Sequence, residues 1–152
     1  MIYGFTGTKH GMSTEQKECF REIVKGRHVV FHHGDCIGAD AEAHDIVVSN
    51  AASADIIIHP PLIAKYRAFK YGICRVGSTT IRKPREYLAR NHDIVNESQA
   101  MIATPRFTYE ELRSGTWATI RYAKKVDKKL TIIYPDGTTE DFPQYPNILF
   151  GG

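Results

Sequence analysis

Short apolar runs that each stop at a turn signal alternate along this chain with longer amphipathic stretches, and that rhythm constrains the fold more than any single motif. "IYGFT" at 2–6 closes on "GTKHGM"; "HVVFHH" follows at 28–33; "DIIIH" at 55–59 is stopped by Pro60 and Pro61; "AMIAT" lies at 100–104 and "LTIIY" at 130–134, before the turn "PDG". Runs of this length with polar punctuation read as strands buried on both faces. Helix-forming segments lie between them. The first starts at Ser13, which has capping-box spacing to Gln16, carries Cys19, Phe20, Ile23 and Val24 as its stripe, and ends at Gly26. "ADAEAHDIVVS", "REYLARNHDIVNES" and "GTWATIRYAKKV" follow. Strands that alternate with helices predict an α/β, Rossmann-like three-layer sandwich with a central, mainly parallel sheet of five or more strands.

The length of 152 residues suits one core, so residues 1–152 read as a single domain, with 138–152 as a C-terminal arm without clear periodicity. Twenty Lys+Arg against 17 Asp+Glu is a mild excess that does not by itself point to nucleic acid. The three cysteines are an odd number with no CxxC pair, and the N-terminus has no signal-peptide pattern, so a cytoplasmic setting is expected. No segment has the roughly 20 apolar residues of a membrane helix. One stretch is biased: between Leu62 and Arg85 there are seven basic residues and no acidic one, interleaved with Tyr66, Phe69 and Tyr71. It reads either as a long solvated connection or as a lid that meets phosphates.

In a parallel sheet, the loops after the first, second and fourth of these strands share one edge, where open α/β folds bind ligands. They hold "TGTKHG" with Gly7, Thr8 and Lys9; "GDCIGAD" with Asp35, Gly38 and Asp40; and the segment ending "RSGTWAT" with Ser114, Gly115 and Thr116. The last is placed at a helix start, where free N–H groups and the dipole favour an anion; the plain alternative is that Ser114 only caps its helix. Asp35 and Asp40 are placed to accept from a sugar or base. A metal is not expected in "HHGDCIGADAEAH", because adjacent strand residues His32 and His33 face opposite ways and no metal-ligand spacing is present. Cys36 lacks an evident base and reads as a partly buried thiol rather than a nucleophile. His44, one helical turn after Asp40, reads as supporting the loop through that aspartate.

"GDCIGADAEAH", "RNHDIVNESQAMIAT" and "RSGTWATIRYAKK", in that order, resemble the SLOG superfamily, the Rossmann-like group joining DNA-processing protein A to the lonely-guy phosphoribohydrolases. The resemblance runs from the first strand to about Lys125 and is closest to small stand-alone members, phage-type ones included. It implies ligand contacts at Gly7, Thr8, Asp35, Gly38, Arg90, Asn91 and Ser114 to Thr116. It implies a homodimer or higher oligomer and no further cofactor. In the lonely-guy enzymes the phosphate motif continues to a glutamate tied to N-glycosidic cleavage, and here that position is Thr119. The expectation is therefore binding of a nucleotide or nucleotide-derived molecule, with Arg90 closing over its charge. An N-glycosidase acting on nucleoside monophosphates and a single-stranded DNA binder are the alternatives.

Overall fold

The computed structural model describes residues 1–74 and 76–144. Seven strands form one sheet in the order β4-β3-β2-β1-β5-β6-β7. They are β1 (Ile2–Gly7), β2 (His28–His33), β3 (Ser53–Ile58), β4 (Gly77–Ile81), β5 (Ala100–Thr104), β6 (Lys129–Ile133) and β7 (Thr139–Phe142). All neighbours pair parallel except β6 with β7. The helices are α1 (Thr14–Val24), α2 (Ala39–Asn50), α3 (Tyr87–Glu97) and α4 (Gly115–Lys125). The chain is thus the expected Rossmann-like three-layer α/β sandwich.

Strand alternation builds two cores. Phe5, Phe31 and Ile56 point to one face and meet Phe20 and Val24 of α1 and Ala43 and Val47 of α2. Phe5, Phe20 and Phe31 pack with ring centroids 5.3 to 5.9 Å apart, in tilted geometry. On the other face Met101, Ala103, Leu130 and Ile132 meet Ile94 and Val95 of α3 and Trp117 and Ile120 of α4. Two helices, α1 and α4, begin with a serine cap. Ser13 and Gln16 form the reciprocal capping box on α1, and Gln16 also donates to the carbonyls of Pro105 and Ile133, 2.8 Å each.

Two strands escape the reading from periodicity. β4 lies inside the basic stretch, which is therefore not one long connection; "GSTTI" sits on the sheet edge, is largely exposed and needs no apolar alternation. β7 lies in the segment read as an arm. "PDG" turns the chain back, with Gly137 at φ 86° and its N–H on the Tyr134 carbonyl, and β7 then pairs with β6. Residues 145–152 of the expected arm and Arg75 of the basic stretch lie outside the described residues. No helix among those described is long and apolar enough to cross a membrane.

Candidate functional site

From β1 the chain steps outward through β2, β3 and β4, then returns to the other side of β1 with β5. β1 and β5 therefore flank the point where the winding reverses, and their C-terminal loops diverge there to leave a crevice. A cleft of about 1270 Å³ opens at that place. Gly7 and Thr8 after β1, Asp40 at the start of α2, Arg90 and Asn91 of α3, and Ser114, Gly115 and Thr116 at the start of α4 all line it. Asp35 and Gly38 do not, and their places in the fold explain why.

Asp35 is fully buried and at φ 54°, a left-handed turn that Asp tolerates better than most residues. Its carboxylate accepts from Arg67 Nε at 3.0 Å and from the Lys70 N–H at 2.9 Å, while its carbonyl accepts from the Ala68 N–H. It anchors the basic stretch to the β2 loop instead of facing a sugar. Gly38 N-caps α2 at φ 93°, and a Cβ there would stand 2.4 Å from the Lys9 carbonyl oxygen, so glycine is needed for the two loops to cross.

Asp40 turns one oxygen onto the N–H groups of Gly34 and Cys36, 3.2 Å each. Burial, opposed chiefly by the Arg90 charge, pushes its carboxyl up to about 6. Arg90 is only 2% exposed, and instead of closing over a ligand it is committed to the protein. It donates to the carbonyls of Gly34 (2.7 Å) and His59 (3.0 Å) and to Asn91 Oδ1 (2.7 Å). No carboxylate among the described residues lies within ion-pair distance of it. Cys36, next to this guanidinium, has its thiol pushed up to about 11, mainly by burial, and so stays protonated at neutral pH.

The two adjacent histidines do point to opposite faces. His33 packs beside Phe31 in tilted geometry and pairs with His44, Nε2 to Nδ1 at 2.9 Å, whereas His32 meets His59 at 2.7 Å. The Asp35 N–H donates to His33 Nδ1, so the His33 proton sits on Nε2 and is given to His44 Nδ1. His44 thus supports the loop through His33, not through Asp40 as its spacing suggested. Among the described residues no group of three or more His, Cys, Asp or Glu side chains is placed to hold a metal ion.

At the head of α4, Ser114 does cap its helix, accepting from the Trp117 N–H at 3.2 Å. The cap leaves the N–H groups of Gly115 and Thr116 without a partner among the described residues. Thr116 is 6% exposed, lines the cleft, and its hydroxyl makes no hydrogen bond. Thr119 instead turns its hydroxyl back to the Gly115 carbonyl at 3.0 Å.

Around this helix start stand side chains that motif reading missed: His10, Arg106 and Arg113 join Lys9 on the cleft wall. Arg106 follows β5 directly after Pro105, so its place at a strand's C-terminal end was the available signal. The cleft also has an apolar and aromatic lining of Ile37, Leu62, Ile63 and Tyr66, while Tyr87 sets its hydroxyl against Gly115 at the helix start. Leu62, Ile63 and Tyr66 arrive because the basic stretch is laced to the β2 loop, through Asp35 and through the Ile37 N–H to the Tyr66 carbonyl.

Fold and cleft together define an α/β protein of Rossmann-like architecture with its crevice at the β1–β5 switch point. Compared with known family models, curated proteins and solved structures, the chain matches none.

Proposed function

We propose that the cleft binds a nucleotide or nucleotide-derived small molecule. The observation that carries this reading is the head of α4: Thr116, a residue more than nine-tenths buried, lines the cleft with its hydroxyl unpartnered, beside two free N–H groups of the helix start. A phosphate on these donors neutralises the dipole end and is flanked by Lys9, Arg106 and Arg113. The Tyr66 and Ile37 side chains offer a base apolar surface to stack on. Membership of the SLOG superfamily belongs to the same reading, since parts of all three resembling segments reach one cleft. A cytoplasmic setting suits three free thiols, and a homodimer suits the exposed Val76 and Ile81 along the β4 edge.

The test is calorimetry with a panel of nucleotides against wild type and Thr116→Asp. The substituted carboxylate stands where the phosphate would, so affinity falls by more than tenfold, at least about 1.4 kcal/mol. Equal affinity places the ligand elsewhere.

One observation favours hydrolysis as the second reading. Asp40, held near 6, is a cleft carboxylate poised to exchange a proton at neutral pH, which Thr119 is not. Chromatography for free base after incubation with nucleoside monophosphates decides it; release that vanishes in Asp40→Asn supports an N-glycosidase.

A further inference from the structure

A second, smaller pocket of about 360 Å³ lies on the α3 side of the sheet, past the ends of β3 and β4. The backbone link between Leu62 and Arg85 runs between it and the main cleft, and only Arg90 lines both. Its walls are Arg82, Lys83 and Arg85 after β4, His59 after β3, and Asp93 and Glu97 on α3. Part of the basic stretch thus meets here, away from the proposed nucleotide.

The charges do not cancel. Arg82 is held by Glu97 through two contacts of 2.8 and 3.3 Å, and Arg85 by Asp93. Lys83 and Arg90 have no carboxylate partner among the described residues, so four cations against two carboxylates leave an excess of two. Lys83 is exposed, so its ammonium is free to meet an anion that enters the pocket. His59 adds a neutral donor. Its side chain is 3% exposed and lines the pocket, yet only Nε2 is engaged, on His32 Nδ1. Burial, with His32, Arg82 and Arg90 near, keeps the imidazole uncharged, so its free ring nitrogen can offer an N–H without adding charge. The two ion-paired arginines are tied to α3, and the guanidinium N–H groups not turned to Glu97 and Asp93 remain as donors.

We infer that this pocket is a second anion site, specific for a dianionic phosphate-class oxyanion held by Lys83, His59 and the edges of Arg82 and Arg85. Donors arriving from two strand ends suit a tetrahedral anion with acceptors on several sides better than a flat carboxylate, and the cations lining the pocket outnumber its carboxylates four to two.

The histidines make both sites readable in one experiment, because His59 lines this pocket while His10 lines the main cleft. The probe is inorganic phosphate, titrated near neutral pH at constant ionic strength, with the imidazole nitrogens followed by long-range proton–nitrogen NMR on histidine-labelled protein. The His59 ring nitrogens shift saturably with phosphate, and the response weakens at least tenfold in Lys83→Glu, an exposed position whose change leaves the core untouched. In Thr116→Asp the His10 response is lost and the His59 response persists, so failure of the nucleotide reading and failure of this one are separate results. Acetate at the same concentrations gives no saturable His59 shift. A His59 ring that ignores phosphate, responds equally to acetate, or keeps its full response in Lys83→Glu overturns the assignment.

Discussion

Two aspartates five positions apart, Asp35 in the loop after β2 and Asp40 in the first turn of α2, do different jobs, and their partners decide which. Asp35 spends both oxygens on Arg67 and Lys70, whereas Asp40 has one oxygen on two N–H groups and lines the cleft. The histidines follow the same logic. Burial is the first cause that pushes His32, His33, His44 and His59 down, His59 to about 3. In the unfolded chain these rings take up protons below about pH 6.5; in the fold they resist, so their contribution is complete above that pH and lost as pH falls. Asp40 acts oppositely: its raised pKa favours the fold at low pH, and that contribution is lost as pH rises through about 6. Each group changes stability by at most about 1.4 kcal/mol per pH unit, so four histidines outweigh one aspartate. Urea unfolding should show a net loss of about 2 kcal/mol or more between about pH 7 and about pH 5. Equal or greater stability at the lower pH would contradict this account.

At the level of elements, α2 starts hard against the end of β1, at the edge of the cleft. A Cβ on Gly7 would lie 2.5 Å from the Ala39 Cβ and 2.4 Å from Thr104 Oγ1, and Ala39 has no freedom to turn away. Gly7→Ala is therefore expected to destabilise by about 1–3 kcal/mol, because α2 must move off the strand. Chemical denaturation gives the first number, and unchanged stability would mean that α2 is free to shift. The glycine was legible as a place of close approach; that the approaching body is the protein's own helix was not. β4 and β7 show the other limit. Edge strands expose one side to solvent, so "GSTTI" and "TEDF" carry no buried period, and pairing with β3 and β6 makes them strands.

For the whole molecule, the basic stretch is the feature whose meaning changes most on folding. Arg67 is tied to Asp35, Lys70 to Asp45, Arg82 to Glu97 and Arg85 to Asp93. Such pairing neutralises most of the charge of the stretch, and counterion release scales with the net charge brought to a phosphate backbone. Fluorescence anisotropy with a labelled single-stranded oligonucleotide should accordingly show no strong, steeply salt-dependent binding. Low-salt binding that is lost in Lys65→Ala, Lys83→Ala would restore the polymer reading.

Local pattern sufficed for the alternation of elements, the capping box of α1, the placing of "TGTKHG" and "RSGTWAT" at one sheet edge, and the opposed faces of His32 and His33. These follow from the periods of helix and strand and from the rule that parallel strands end together. Partner choice followed from tertiary structure alone: Asp35 to Arg67, His44 to His33, Arg90 to two carbonyls, and Arg106 to the cleft. Each joins residues distant in the chain or turned by a loop, and a side chain's chemistry does not say which donor or acceptor folding will bring within 3 Å.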